Sequence, residues 1–207
     1  MENSLSLVST EWVSDTEFAL TYELLNGQEK LANIFMRIDA AEDIGGRAQN
    51  VYITPRPITI DTDRPDVATI VYDQTLLNDE VASDSWLLFT IEMDEESDTT
   101  SVPTITFDSA SDLIGSLFFV PENSQWLDEF TYQATYDLLD NNEEVSDIGI
   151  SLDDVMDKAG NAQNAFADVE QFDIDTRNPE FVDVALNDDI LNIQSIGNNA
   201  LQVTLEF

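Results

Sequence analysis

Acidic residues surround two short segments that read Ile-Asp-Thr and reach a proline three residues later. Asp61, Asp63 and Asp66 lie in or beside the first segment, and Asp175 lies in the second. Carboxylates that come together from a strand end, a linker and a neighbouring loop suit Ca²⁺, which takes about six to eight oxygen ligands in flexible geometry. The alternative is that these residues occupy turns, where Asp side chains accept hydrogen bonds from nearby backbone amides.

A turn ahead of the second segment offers further oxygen atoms. Asp157 and Asn161 flank Gly160, which reaches positive φ at little cost, so this run is typical of a tight turn. Asp43 occupies the matching place ahead of the first segment. No loop has the ligand spacing of an EF-hand. We therefore predict Ca²⁺ sites beside the two segments, with these candidate ligands: Asp61, Asp63, Asp66, Asp157, Asn161 and Asp175.

The charge of the chain restricts its partners. The 207 residues include 43 acidic and 7 basic side chains, which gives a formal net charge of −36. Nucleic acid and anionic membrane surfaces are excluded as partners because both would repel such a protein. A field this negative also needs nearby cations, since self-repulsion otherwise destabilises the folded state. Divalent ions outside a cell or very high salt would supply them, and composition does not separate these two settings.

Catalysis has little support in the residue inventory. The chain has no histidine and no cysteine, so it lacks the usual general base and the thiolate nucleophile. Among so many acids, a pair of carboxylates arises by chance and does not indicate a glycosidase. We therefore expect no enzymatic activity. No apolar run is long enough for a membrane-spanning helix.

The sequence repeats itself at a spacing of 114 residues. Trp12 recurs as Trp126, and Thr21–Leu25 recurs as Thr135–Leu139, in each case 114 positions later. A repeat of this length is a whole domain rather than one turn of a solenoid. We predict three units: residues 1–62 as the C-terminal part of a repeat, residues 63–176 as a complete repeat, and residues 177–207 as the N-terminal strands of a further one.

Alternation of large apolar with small or polar residues predicts an all-β fold. Phe130–Tyr136 and its counterpart Phe18–Leu24 follow this period of two, which is typical of a half-buried strand. Asp, Asn, Ser and Gly turns separate about seven short strands in one repeat, which favours an antiparallel sandwich. The other predicted strands are Val67–Tyr72, Trp86–Met93, Thr104–Phe107, Leu117–Val120, Val145–Leu152 and Val169–Ile174.

Several local patterns give weaker expectations. Ser151–Asp157 begins with a serine and early acidic residues, which predicts either one helical turn or a loop. The acidic runs at 94–98 and 141–144 are interpreted as solvated loops. Large aromatic residues in or beside strands are expected in the core, and these are Trp12, Tyr22, Trp86, Trp126 and Tyr136.

The turn and the segment that follows it resemble a known signature. Asp157–Asn161, Phe172–Thr176 and Pro179 resemble the D-x-A-G-N … F-x-I-D-T-x-x-P pattern of bacterial Ig-like repeats, which occur in tandem in large secreted and surface adhesins. The resemblance implies Ig-like β-sandwiches in tandem, with Ca²⁺ bound near the junctions and stiffening them. The first copy departs from the pattern, because Arg47 stands in place of the asparagine.

These observations together favour an extracellular, cell-surface protein that forms a rod or filament with a structural or adhesive role. The alternative is a ligand-binding module that recognises a carbohydrate or a host protein. The expected partners are adjacent repeats of a longer chain, or neighbouring copies joined head to tail. In the second case residues 177–207 of one molecule would complete residues 1–62 of the next by strand exchange.

Overall fold

A computed structural model describes residues 4–84, 86–108, 115–187, 190–191, 196–197 and 201–207. The protein is mostly β, with 53% strand and several antiparallel sheets, so the predicted dominance of antiparallel strands is confirmed. In chain order the elements are β1 (Leu5–Ser14), β2 (Glu17–Leu24), β3 (Lys30–Ile34), β4 (Arg37–Ile38), β5 (Tyr52–Ile53), β6 (Ile58–Asp61), β7 (Val67–Tyr72), β8 (Leu76–Asn78), α1 (Asp79–Asp84), β9 (Trp86–Met93), β10 (Thr104–Asp108), β11 (Leu117–Phe119), a 3₁₀ turn (Pro121–Asn123), β12 (Gln125–Trp126), β13 (Thr131–Leu138), β14 (Glu144–Asp153), β15 (Phe166–Asp175), β16 (Asp183–Leu186) and β17 (Val203–Glu206).

Two sheets contribute side chains to one hydrophobic core. The first has the strand order β11-β13-β9-β7, with β12 also paired to β13, and the second has the order β10-β14-β15-β8. All their pairings are antiparallel except that of β8 with β15. Because strand side chains alternate between faces, one face of each strand lines the core. On β9 and β13 the buried apolar residues are Leu87, Phe89, Ile91, Met93, Tyr132, Ala134, Tyr136 and Leu138.

Residues 4–61 form a more open arrangement. Their strands make three separate two-stranded ladders, β1–β2, β3–β6 and β4–β5. Large apolar side chains on these ladders, such as Phe18, Tyr22 and Ile38, are exposed. The β16–β17 hairpin is also a separate two-stranded ladder with exposed apolar residues, including Val184 and Leu205.

The ladders of residues 4–61 have counterparts 114 positions later in the chain. Lys30 pairs with Asp61, and Glu144 pairs with Asp175. The correspondence includes an irregularity: the β3–β6 ladder shifts register after Leu31, and the β14–β15 ladder shifts at the matching place, after Val145. The same spacing relates other pairs: Leu31–Ile60 to Val145–Ile174, Ile34–Ile58 to Ile148–Phe172, Arg37–Ile53 to Ser151–Ala167, Glu42–Ala48 to Met156–Ala162, and Trp12–Phe18 to Trp126–Tyr132.

Two local expectations were wrong or incomplete. The helical alternative for residues 151–157 was wrong, because β14 continues to Asp153 and pairs with both β10 and β15. Period-two alternation therefore overrides the serine start at Ser151. The sequence pattern did not predict β8 and α1, which follow one another between Leu76 and Asp84. Both are too short to establish a period.

The aromatic residues divide into core and surface. Tyr136 is buried and Trp126 half-buried, but the prediction of a core position was wrong for Trp12, Tyr22 and Trp86, which are all exposed. Trp86 lies on the outer face of β9, opposite to the buried neighbour Leu87, because strand side chains alternate.

Trp12 lacks the cover that Trp126 has. The Trp126 indole nitrogen donates a hydrogen bond to the Ser101 carbonyl at 2.8 Å, whereas the Trp12 side chain is 66% exposed. Both tryptophans keep the same aromatic neighbour, with ring centroids 5.2 Å apart for Trp12 and Phe18 and 5.3 Å for Trp126 and Tyr132. The two indoles therefore differ in exposure but not in their strand partner.

Candidate metal centre

Three carboxylates from separate parts of the chain meet beside the end of β6. Asp61 is the last residue of β6, Glu95 lies two residues after β9, and Asp157 follows β14. One carboxylate oxygen from each lies within 4.8 Å of the other two. Asp157 is buried, while Asp61 and Glu95 are half-buried. The cluster therefore links residues 4–61 to the two-sheet core.

Asp157 is held by its own turn. Its Oδ1 accepts hydrogen bonds from the backbone amides of Ala159 and Asn161, at 2.8 and 2.7 Å, and its Oδ2 accepts one from Asn161 Nδ2 at 2.7 Å. Gly160 provides the positive φ that closes this turn. Asn161 Nδ2 also donates to the backbone carbonyl of Asp61 at 3.2 Å, which fixes the turn against β6. The turn interpretation of Asp157 and Asn161 is thus confirmed, and both residues are also at the cluster.

The other two carboxylates each leave one oxygen without a partner. Asp61 Oδ1 and Glu95 Oε1 are buried and accept no hydrogen bond, and the two side chains are only 10% and 15% exposed. Ser97 is also buried, and its backbone forms an isolated β-bridge with Asp157. Its hydroxyl is likewise unpartnered. Buried polar atoms are almost always satisfied, so these acceptors are available to a cation or a hydrogen-bond donor.

Lys30 is the cation that the chain itself supplies. Its ammonium nitrogen lies 3.1 Å from Asp61 Oδ2 and 3.1 Å from Glu95 Oε2. These two hydrogen bonds raise the pKa of Lys30 above its ordinary value, and the one with Glu95 makes the larger contribution. Burial raises the pKa of Glu95, and the contacts with Lys30 only partly oppose that shift. Burial thus disfavours the ionised form of Glu95, and Lys30 favours it.

The oxygen spacing suits one bound Ca²⁺. Ligands on opposite sides of such an ion lie about 4.6 to 5.2 Å apart, because each Ca–O distance is about 2.3 to 2.6 Å. The three carboxylates fall inside that span. When ionised, the carboxylates of Asp61 and Glu95 accept and do not donate hydrogen bonds. Their unpartnered oxygens can then coordinate a hard cation. The residues present thus fit the metal.

The remaining predicted ligands lie elsewhere. Asp63 and Asp66 are exposed; Asp63 accepts a hydrogen bond from the Arg64 amide, and Asp66 donates its own amide to Asp94 Oδ1. Asp175 is exposed and accepts a hydrogen bond from the Arg177 amide. None of these three carboxylates belongs to the cluster formed by the part of the chain that the structure describes.

Sequence analysis missed Glu95, which was assigned to a solvated run. A usable signal was present, because the period of two that buries Ile91 and Met93 continues to Glu95 and Ser97. Glu95, the acidic residue on the core side of that run, therefore points towards the protein. Lys30 carried no comparable signal, since its role depends on pairing with Asp61 across two strands that are distant in sequence.

The second lysine of the chain bridges a neighbouring pair of acids. Lys158 Nζ lies 3.0 Å from Glu96 Oε2 and 2.5 Å from Glu129 Oε1. Hydrogen bonds with Glu129 and Glu96 raise the pKa of Lys158. These are surface pairs, so they add little stability individually. They do place both lysines of the sequence against the acidic run that follows β9.

A separate open groove of about 840 Å³ lies beside β12. Aromatic side chains of Phe119, Trp126, Phe130 and Tyr132 line it together with polar residues that include Asp128. Asp128 caps the start of β13 by accepting hydrogen bonds from the amides of Phe130 and Thr131, and the former interaction is the main cause of its lowered pKa.

In the described residues no helix is long and apolar enough to span a bilayer. Comparisons of the chain with protein-family models, with curated proteins and with solved structures found no match.

Proposed function

We propose that this protein is an extracellular structural or adhesive element of a cell surface, built from copies of one Ig-like β-sandwich with a period of 114 residues. The observation that carries this proposal is the recurrence of strand pairings at that spacing. The ladder that pairs Lys30 with Asp61 has the register, and the register shift, of the ladder that pairs Glu144 with Asp175. The proposed units are residues 1–62, 63–176 and 177–207.

Backbone details support the same proposal. Residues with positive φ occur at corresponding places, where few residues other than glycine are comfortable. Thr62 and Thr176, both buried, each accept a hydrogen bond on Oγ1 from the amide of a glutamate, Glu29 and Glu143 respectively. The positive-φ pairs are Gln28 and Asn142, Asn33 and Asp147, Ala40 and Asp154, and Gly46 and Gly160.

Calcium has a defined place in this proposal. Asp61, Glu95 and Asp157 would hold the ion between β6 and the loops that follow β9 and β14. The bound ion supplies positive charge to a chain of net charge −36 and fastens one unit to the next. Asn161 orients Asp157 and contacts β6 through its amide, so it prepares the site. The extracellular setting is supported by this demand for divalent cations.

Calorimetric titration with Ca²⁺, with Na⁺ at matched ionic strength as a control, tests the proposal. We expect one site that disappears in the double variant Asp61→Asn/Glu95→Gln and persists in Asp63→Asn, whose carboxylate lies outside the cluster. Ca²⁺ should also lengthen the time-averaged particle in small-angle scattering by stiffening the junction. Equal stabilisation by Na⁺ and Ca²⁺, with no saturable heat, would refute the calcium site and favour adaptation to high salt.

A second candidate function is recognition of a carbohydrate or a host protein. The groove that contains Phe119 and Phe130 supports it, because exposed aromatic residues beside polar groups commonly mark binding surfaces. Titration of an oligosaccharide panel, followed by intrinsic tryptophan fluorescence, tests this function. We expect any response to disappear in Phe130→Ala and to persist in Trp12→Phe.

A further inference from the structure

One face of β2 is apolar and exposed, and it corresponds to the core-facing side of β13. Phe18, Leu20, Tyr22 and Leu24 alternate along the strand and are 44% to 58% exposed. The residues 114 positions later on β13 are Tyr132, Ala134, Tyr136 and Leu138, and all four are buried. In the two-sheet core β9 lies beside β13 and completes that cover. The face of β2 therefore has the pattern of a strand whose neighbour is missing from its ladder.

The β16–β17 hairpin has the pattern of that neighbour. Val184 pairs with Leu205 as Ile70 pairs with Ile91, again 114 positions apart. The correspondence extends to the turn, where the Gln202 amide donates to Asn187 Oδ1 as the Leu88 amide donates to Asp73 Oδ1. The counterparts of the buried β9 residues Leu87, Phe89, Ile91 and Met93 are Leu201, Val203, Leu205 and Phe207, and all of these are exposed.

A cleft beside β2 marks where one side chain of the missing strand belongs. It has a volume of about 260 Å³, and Tyr22, Ile34, Met36 and Ile58 contribute to its lining. Their counterparts in the core are Tyr136, Ile148, Ile150 and Phe172. There, Phe89 packs against Tyr136 and Phe172 with ring centroids 5.6 and 5.9 Å away. The cleft thus corresponds to the site of Phe89, whose counterpart on β17 is Val203.

We propose that β17 of one copy of this chain adds to β2 of a second copy, antiparallel, with β16 alongside. The pairs of β9 with β13 set the register, because Ala134 pairs with Phe89 and Tyr132 with Ile91. Leu20 of the second copy therefore lies opposite Val203 of the first, and Phe18 of the second copy lies opposite Leu205 of the first. The contact is head to tail, so it does not close and it generates a filament. This inference rests on the proposed function as a repeat protein, and it identifies the partner as a second copy of the same chain.

The hairpin and β2 do not pair with each other within one chain. Among the described residues β2 pairs with β1 and β17 pairs with β16, and each pair is a separate two-stranded ladder. The acceptor in this proposal is therefore β2 of another molecule.

Cysteine cross-linking of the 207-residue chain tests both partner and register. The sequence has no cysteine, so Ala19→Cys and Thr204→Cys each introduce a single thiol on the outer face of its strand. Ala19 and Thr204 correspond to Gln133 and Thr90, which lie directly opposite each other. Opposed Cβ atoms are about 4.5 to 5.5 Å apart, but diagonal ones about 7 to 8 Å. Equimolar mixing under mild oxidation, with Ca²⁺ and molar NaCl to screen repulsion, should give mainly the mixed disulfide dimer.

Two matched controls sharpen the result. Pairing Ala19→Cys with Gln202→Cys, two residues out of register, should lower the yield of the mixed dimer several-fold. In light scattering, Val203→Glu should raise the concentration needed for assembly at least about tenfold, because it places a charge in the cleft. Thr204→Glu, on the outer face, should assemble like the parent chain. Circular dichroism checks that the core formed by residues 67–175 stays folded in both variants.

Three outcomes overturn strand addition: a monomer at all concentrations, equal yields from the two cysteine pairs, or equal assembly of Val203→Glu and Thr204→Glu. A monomer that still binds one Ca²⁺ at the Asp61 cluster would refute strand addition alone and leave the proposed repeat function standing. Loss of both results would refute both.

Discussion

Lys30 and Asp61 face each other across β3 and β6, with the ammonium nitrogen 3.1 Å from Asp61 Oδ2, while the pair that corresponds to them 114 residues later consists of two acids, Glu144 and Asp175. The first pair therefore carries its own cation within the ladder, whereas at the second pair the cation comes from Arg177, outside the ladder. Arg177 approaches Glu144 only at 3.8 Å and both side chains are well exposed. The same backbone register thus provides two different electrostatic settings.

Replacement of Lys30 should make the first junction dependent on added calcium. Lys30→Met keeps the apolar stem but leaves Asp61 and Glu95 without their common partner. We expect a loss of about 1 to 2 kcal/mol of unfolding free energy in chelator, at the low end for a broken pair because Lys30 is half exposed. Added Ca²⁺ should restore most of it, as measured by urea denaturation with and without EDTA.

The matched control for that experiment is Arg37→Met. Arg37 forms an exposed ion pair with the nearby Asp39, so its loss should change stability by less than about 0.5 kcal/mol under either condition. Ca²⁺ rescue of Lys30→Met that is no larger than its effect on Arg37→Met would contradict an ion site at Asp61.

The raised pKa of Glu95 predicts an unusual pH dependence. A carboxyl group with a higher pKa in the folded than in the unfolded protein binds its proton more tightly when folded. Its contribution to stability is therefore greatest at low pH, and it falls as pH rises from the ordinary value of 4.5 through the folded pKa. In the absence of Ca²⁺, wild-type stability should decline over that window more steeply than that of Glu95→Gln.

Bound Ca²⁺ should reverse this behaviour, because the ion favours the ionised carboxylate. The measurement is the unfolding free energy as a function of pH for both proteins, with chelator and with Ca²⁺. Parallel curves for wild type and Glu95→Gln under both conditions would show that Glu95 titrates in the folded protein as it does when unfolded.

The turn around Asp157 should stabilise the protein more than its counterpart around Asp43. Each Oδ1 accepts two backbone amides, but Asp157 is buried and also binds Asn161 Nδ2. Asp157→Asn replaces one acceptor with a donor that faces another donor, which should cost about 1 to 3 kcal/mol. Asp43→Asn, which is exposed, should cost less than about 1 kcal/mol. Thermal melts of the two variants provide the comparison, and equal losses would show that burial of the turn is unimportant.

Strand positions followed from sequence more completely than the environments of single residues. Val67–Tyr72 and Trp86–Met93 were predicted at their observed limits, because alternation is a local property. The exposure of Trp12 could not be predicted, since it depends on whether a distant segment such as that of Ser101 covers the ring. At the cluster, Asp61 was predicted as a ligand from its place beside a strand end, and Asp157 and Asn161 from the adjacent turn. Glu95 and Lys30 complete the cluster only through contacts that are distant in sequence.

Tyr136 and Tyr22 offer a direct comparison of one position with and without its covering strand. Tyr136 is 5% exposed and packs against Phe89, so Tyr136→Ala should cost about 3 to 5 kcal/mol, within the usual range for large aromatic residues in a core. Tyr22→Ala should cost less than about 1 kcal/mol in dilute chain, where its ring is largely exposed. At concentrations where copies associate, Tyr22→Ala should lose stability relative to the parent, because β17 of a second copy then buries the ring. Calorimetric melts across a range of chain concentrations measure this, and a Tyr22→Ala penalty independent of concentration would mean that β2 stays uncovered.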